Sequence, residues 1–187
     1  MTSSTPTDAS QHTSVPSIGV RLIVVRHGES EWNVLGKWQG RADTQLTNAG
    51  RAQAAEAAQR ISALGIGIDH IVASSLTRAH ETALIIAEKL GLTNVHVDDR
   101  LVETDVGPWE GLREHEIEAA YPNYLRDRRT PPNFEAPDAV FARATDALRD
   151  AMIRSQKSLV VTHSGVIRTV RRVMQVHDRR LHNLEGC

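Results

Sequence analysis

Two β-branched runs constrain this chain most. Val20-Arg21-Leu22-Ile23-Val24-Val25 and Leu159-Val160-Val161 each have the character of a buried strand. Each stops at a turn that carries a histidine: Arg26-His27-Gly28-Glu29 after the first run, Thr162-His163-Ser164-Gly165 after the second. Between them, strand-like and helix-like segments alternate, the pattern of a largely parallel sheet with helices on both faces. Open sheets of this kind place their ligands outside the carboxyl ends of the strands, so both histidines fall where a site forms.

The expected fold is therefore α/β, a three-layer sandwich around a mostly parallel central sheet. A loop containing Gly, Trp and Asn runs to Asp43. Thr47 then caps an alanine-rich helix from Asn48 to Leu64. Ile71-Val72-Ala73 is a second strand, Leu76 to Leu90 a helix and Val95-His96-Val97 a third strand. Ala139 to Ser155 reads as helix, Leu159 to Val161 as the fourth strand and Val166 to Val176 as a closing helix. From Leu101 to Pro137 the pattern is broken by glycines and prolines, which predicts a cap-like insertion over about residues 105–137 around a short helix, Arg113 to Ala120. One domain over residues 20–187 is expected. Residues 1–19, rich in Ser, Thr and Pro and without the basic start and apolar stretch of a signal peptide, read as a disordered tail.

The net charge of the 187 residues is -1, so no global pull toward nucleic acid or an anionic membrane is expected. Any anion has to be caught locally, and the partner expected is a small phosphorylated molecule. No apolar run approaches the roughly 18 residues that span a bilayer. The single cysteine, Cys187, excludes an internal disulfide and a cysteine-based metal cluster and fits a reducing cytoplasm. A homodimer is left open.

Leu22 to Gly50, LIVVRHGESEWNVLGKWQGRADTQLTNAG, resembles the histidine phosphatase superfamily, the phosphoglycerate mutase-like enzymes. The later blocks SSLTRAHETA, RLVETDVGPWEGL and VTHSGVIR follow in that family's order. A lone RHG is weak; four blocks at compatible spacing are not. The resemblance implies the phosphoglycerate mutase-like fold. It makes His27 the nucleophile that becomes a phosphohistidine, His163 a donor to a phosphate oxygen, and Asn33 a phosphate-contacting amide. Gln39 and Gly40 align with positions that approach the substrate, and Glu103 with the proton donor. No cofactor and no metal are implied.

The chemistry explains why such residues belong together. Phosphate monoesters are dianions that hydrolyse very slowly, so a catalyst must neutralise charge and supply a nucleophile that divides the reaction into two displacements. Arg26 and Arg78 offer planar forks of donors that suit phosphate oxygens. Glu103 is open to a second reading, as an ion-pair partner ahead of the Gly107-Pro108-Trp109 turn, with Asp105 or Glu110 as the donor instead. Glu29 reads as a support for Arg26 or a backbone amide. His12, His70, His80, His96, His115, His177 and His182 show no ligand spacing and read as solvated or structural. Arg126, Arg128 and Arg129 in the insertion either meet a second anionic group or form a solvated loop, and Arg168, Arg171 and Arg172 read as exposed charges. No HExxH, Asp-rich or Cys/His cluster accompanies the histidines, which disfavours a metal-dependent phosphatase.

Within the resemblance, a hydrolase is favoured over a mutase. The mutases carry a longer insertion between the donor glutamate and the second histidine, whereas Glu103 to His163 is short here, and LVETDVGPWEGL is closer to the phosphatase version. A phosphoglycerate mutase dependent on 2,3-bisphosphoglycerate is the alternative. A phospho-ligand-binding protein without turnover is a third reading, opposed by the complete set of His27, Arg78, Glu103 and His163. Family members usually continue past the segment resembling Leu181-His182-Asn183-Leu184 into another strand, and this chain stops at Cys187.

Overall fold

The alternation read from the sequence organises the computed structural model, which describes residues 21–174. The tail over residues 1–19, the end of the expected closing helix and Cys187 lie outside the described residues. In chain order the elements are β1 (Arg21–Arg26), α1 (Glu31–Val34), α2 (Asn48–Ala63), β2 (His70–Ala73), α3 (Thr77–Leu90), β3 (His96–Val97), α4 (Glu114–Ala120), α5 (Pro137–Arg154), β4 (Lys157–Thr162) and α6 (Ser164–Val173).

The four strands form one parallel sheet in the order β1-β4-β2-β3. Successive side chains point to opposite faces of a strand, and the two faces meet different helices. Ile23, Val25, Ile71, Ala73, Leu159 and Val161 pack with α2 and α3, while Leu22, Val24, Val72 and Val160 pack with α5. Helix α6 lies against α5, with Val166 and Val170 on Val140 and Ala144. Helices on both faces make the three layers, and burial on both faces explains why the strands read as continuous apolar runs. The inward faces of α2 and α3 are mostly alanine, which lets the two helices lie close together over the sheet. Bulk comes from Ile71, Ile86 and Leu159, each contributing roughly 1.5–3 kcal/mol by leaving water.

Helix ends show which signals were readable. Thr47 caps α2 as its sequence predicts, its hydroxyl accepting the Gly50 N–H at 3.0 Å. Helix α3 borrows its cap: Leu76 has no side-chain acceptor, and the carboxylate of Asp43, 34 residues earlier, takes the Thr77 N–H at 2.7 Å and the Thr77 hydroxyl at 2.8 Å. Pro137, expected as a breaker, is instead in the first turn of α5, where its missing N–H costs nothing. Helix α1 was read as loop; it is a single turn closed by Ser30 and Asn33.

Residues 102–136 contain no strand and pack around Trp109, which is 2% exposed and meets the rings of Trp38, Tyr121 and Phe134 edge-on at 5.1, 6.2 and 5.8 Å. Five of the chain's seven Phe, Trp and Tyr residues lie in this cluster, so the aromatic bulk sits in the wall over the strand ends and not in the sheet. The wall is tied to the loop after α1 by the Trp38 N–H to the Leu112 carbonyl and the Gly111 N–H to the Trp38 carbonyl, both 2.8 Å.

Candidate active site

The register of the sheet brings the two histidines together. Arg26 of β1 is the partner of Thr162 of β4, so His27 and His163, each one residue further on, emerge side by side. Their ring centroids are 5.1 Å apart. Both are buried. Alignment of Ala73 with Val161 delivers Ser74 to the same end, where its hydroxyl lies 2.8 Å from His163 Nε2.

Hydrogen bonding fixes how the first ring is protonated. His27 Nδ1 is 2.6 Å from the Gly28 carbonyl, an oxygen that only accepts, so Nδ1 carries the proton and the lone pair is on Nε2. That nitrogen faces Arg78, whose Nε donates to it at 3.3 Å. Burial, then the charge of Arg78 and that of Arg26, push the His27 pKa down from 6.5 to about 3 against the raising effect of the Gly28 bond. His163 is pushed well below the usual histidine range by burial first and then by His27, Arg78, Arg143 and Arg26. On the other side of that ring, Ser74 Oγ accepts the Leu76 N–H at 3.3 Å and lies 2.8 Å from His163 Nε2. His163 Nδ1 is buried and has no hydrogen-bond partner.

Arg78, in the first turn of α3, is fully buried. Its Nη1 and Nη2 donate to the carbonyls of Ala42 and Gly40 at 2.7 and 3.0 Å. With the bond to His27, three N–H groups are committed and the rest of the fork is left for an anion. Burial pulls its pKa down to about 10 against the opposing charges of Glu103, Asp43 and Glu110, which leaves it charged at neutral pH.

The stretch from Ser30 to Thr44, which includes α1, presents Asn33, Gln39 and Gly40. Asn33 Oδ1 accepts the Ser30 N–H at 3.0 Å and lies 2.9 Å from the Ser30 hydroxyl. Gln39 Oε1 lies 2.8 Å from the same hydroxyl and accepts from Thr44 Oγ1 at 2.7 Å. Both amides thus spend their oxygens on the loop and have their NH2 ends as donors. Gly40 sits at φ +52, and a Cβ there would meet Val106 and Glu110.

Three carboxylates were open as the acid, and their surroundings differ. Glu110 Oε2 accepts the N–H groups of Arg41 and Ala42, both at 2.9 Å, so it shapes the loop that holds Arg78. Asp105 Oδ1 accepts the Gly107 N–H in its own turn. Glu103 alone of the three touches the start of α6: its Oε2 accepts the Gly165 N–H at 3.0 Å, two residues after His163, and its Oε1 the Thr104 N–H at 2.7 Å. A Cβ at Gly165 would collide with this carboxylate.

Other residues take smaller parts. Glu29 Oε1 accepts from the Thr47 hydroxyl at 2.7 Å. Arg126 pairs with Asp127, and Arg129 stacks 4.1 Å above the Tyr124 ring. Arg168 and Arg172 are exposed. Sequence reading missed Ser74, Asp43 and Thr82, the last of which accepts the Gly28 N–H at 3.1 Å and ties the histidine turn to α3. Ser74 and Thr82 were within reach, since both lie in the SSLTRAHETA block; Asp43 acts across the fold and left no local signal.

The family model described as histidine phosphatase superfamily (branch 1) matches residues 22–186. Phosphoglycerate mutase-like protein 4 of Arabidopsis thaliana is 38% identical over 158 residues, 80% of this chain and 68% of that protein. Phosphoserine phosphatase 1 of Hydrogenobacter thermophilus is 36% identical over 159 residues, 81% of this chain and 74% of the relative. Among solved structures, a mycobacterial glucosyl-3-phosphoglycerate phosphatase in complex with VO3 superposes with a TM-score of 0.74 at 30% identity, covering 82% of this chain and 79% of that one. The chain that brings His27, Arg78 and His163 together at its strand ends belongs to branch 1 of the histidine phosphatase superfamily.

Proposed function

We infer that the protein is a phosphomonoester hydrolase that acts through a phosphohistidine on a small phosphorylated metabolite. The observation that carries the reading is the state of His27: a neutral ring whose Nδ1 proton is given to Gly28 and whose Nε2 lone pair points at the Arg78 fork. In the first step His27 Nε2 attacks phosphorus, the bond from phosphorus to the leaving oxygen breaks, and Glu103 gives that oxygen its proton. In the second, the Glu103 carboxylate takes a proton from water, the water oxygen bonds to phosphorus, the N–P bond breaks, and inorganic phosphate leaves. Arg26, Arg78 and the NH2 ends of Asn33 and Gln39 hold the phosphoryl oxygens, with Gly40 giving them room. His163 donates its unpartnered Nδ1–H to one of them.

The arginines supply the positive charge that a cation provides in other phosphatases, so the reaction as drawn is metal-independent. We place the activity in the cytoplasm; among the described residues, no helix is long and apolar enough to cross a membrane. Water is the acceptor in preference to a second phosphoacid, in keeping with relatives named as phosphoserine phosphatase and glucosyl-3-phosphoglycerate phosphatase. Those names direct the substrate panel toward phosphorylated carboxylic acids. Phosphate release from phosphoserine, 3-phosphoglycerate and simple alkyl phosphates, with and without chelator, tests the proposal. Release that survives chelation and outpaces formation of 2-phosphoglycerate from 3-phosphoglycerate with catalytic bisphosphoglycerate is expected. Dominant isomerisation assigns the mutase activity instead, and loss on chelation restored by metal contradicts the metal-independent step.

A further inference from the structure

The Glu103 segment has no regular structure of its own, yet its backbone is held at several points by one ion pair. Arg143 projects from the middle of α5. Its Nη1 donates to the carbonyls of Arg100 and Val102 at 2.8 and 2.6 Å, and its Nη2 to that of Glu103 at 3.2 Å. The other edge of the guanidinium is bidentate on Glu135, with Nε to Oε1 at 2.7 Å and Nη2 to Oε2 at 2.9 Å. Glu135 then grips the far side of Glu103: its Oε2 accepts the Asp105 N–H at 3.0 Å, and its own N–H donates to the Asp105 carbonyl at 2.8 Å. The pair is largely shielded, the two side chains being 16% and 12% exposed. Carbonyl groups that a strand would satisfy with a neighbouring strand are satisfied here by a planar fork, which lysine cannot imitate.

We propose that Arg143 and Glu135 are positioning residues that clamp the backbone on both sides of Glu103 and so set its carboxylate against the start of α6. The consequence for catalysis rests on the reading of Glu103 as the proton donor; the placement of its carboxylate does not. Neither residue of the pair needs to touch the substrate. Arg143 reaches three carbonyls over four consecutive residues, and Glu135 takes the N–H two positions past Glu103, so a change in either moves the acid along its own chain direction. Misplacement of a catalytic group by about 1 Å costs on the order of 10²-fold in rate, so loosening the clamp is expected to be visible in kinetics.

The experiment has two readouts on Arg143→Lys and, as a milder second variant, Glu135→Gln. The first is amide hydrogen exchange by NMR at Thr104 and Gly165, the two N–H groups that the Glu103 carboxylate accepts. Exchange there is expected to speed up at least about tenfold while Val160 in the sheet centre keeps its rate, as local loosening without global unfolding requires. The second is single-turnover phosphoenzyme formation from an alkyl phosphate and from p-nitrophenyl phosphate, in the wild type and in Glu103→Gln. Slowing of roughly 10- to 100-fold confined to the alkyl phosphate, and absent when Glu103 is already Gln, is the expected result. Faster exchange with equal slowing of both substrates supports the clamp and removes the proton-donor reading of Glu103. Unchanged exchange at Thr104 and Gly165 in both variants overturns the proposal, whatever the rates.

Discussion

His27 and His163 stand with ring centroids 5.1 Å apart because β1 and β4 run parallel in a register that pairs Arg26 with Thr162. Two buried imidazoles, with Arg78 and Arg26 acting on both, disfavour a further positive charge, and both rings have pKa values below the ordinary 6.5. The unfolded chain therefore takes up protons below pH 6.5 that the folded chain refuses. The stability linked to His27 is complete above about pH 6.5 and is lost as the pH falls, down to about 3. At about 1.4 kcal/mol per pH unit, His27 alone removes about 2 kcal/mol between pH 6.5 and 5. Urea unfolding of the wild type and of His27→Gln at pH 7 and 5 measures this. The wild type is expected to lose about 2 kcal/mol more than the variant over that interval, and equal losses contradict the assignment.

The strands and the helices of the two outer layers were legible because each rests on local pattern, whereas the site residues were named from motifs that resemble a family. Thr47, for example, is a cap readable three residues from its partner. What escaped depends on the fold bringing distant residues together. Asp43 caps α3 from 34 residues away, and Arg143 holds Glu103 from 40 residues away. Pro137 misled because a proline ends a helix or starts one according to where the flanking chain turns. The resemblance favoured Glu103 as the acid and left Asp105 and Glu110 open, and in the fold the three carboxylates accept different N–H groups.

Gly28 illustrates a glycine required by proximity. Its Cα faces the backbone of Gly50 at the start of α2, and a Cβ on either residue would run into the other strand of chain, Gly50 against Glu29 and Gly28 against Gly50. Gly28→Ala is expected to cost about 1–3 kcal/mol through overpacking and to displace the carbonyl that holds His27 Nδ1. Thermal unfolding with turnover of p-nitrophenyl phosphate checks this; a variant with unchanged stability and rate shows that the contact relaxes freely.

Arg78 is expected to act in the transition state, since its fork is already fixed by Gly40 and Ala42. Arg78→Lys keeps a charge but loses the planar geometry, and should lower kcat by a factor on the order of 10² to 10³. A change confined to KM would assign it to uniform binding.

Glu103→Gln separates the two steps by leaving group. An alkoxide needs the proton badly, whereas p-nitrophenolate is already a stable anion. Single-turnover phosphoenzyme formation is expected to slow by on the order of 10² to 10⁴ with an alkyl phosphate and by less than about 10 with p-nitrophenyl phosphate. Equal slowing assigns Glu103 a supporting role and makes Asp105 the next residue to replace.

The most direct measurement is capture of the intermediate. Rapid quenching of the enzyme with 32P-labelled substrate is expected to yield a phosphoenzyme labile in acid and stable in base, as an N–P bond is, with the label on His27 after proteolysis. His27→Ala is expected to carry no label while binding inorganic phosphate through Arg26 and Arg78. Label that persists in His27→Ala, or that is acid-stable, would contradict the account.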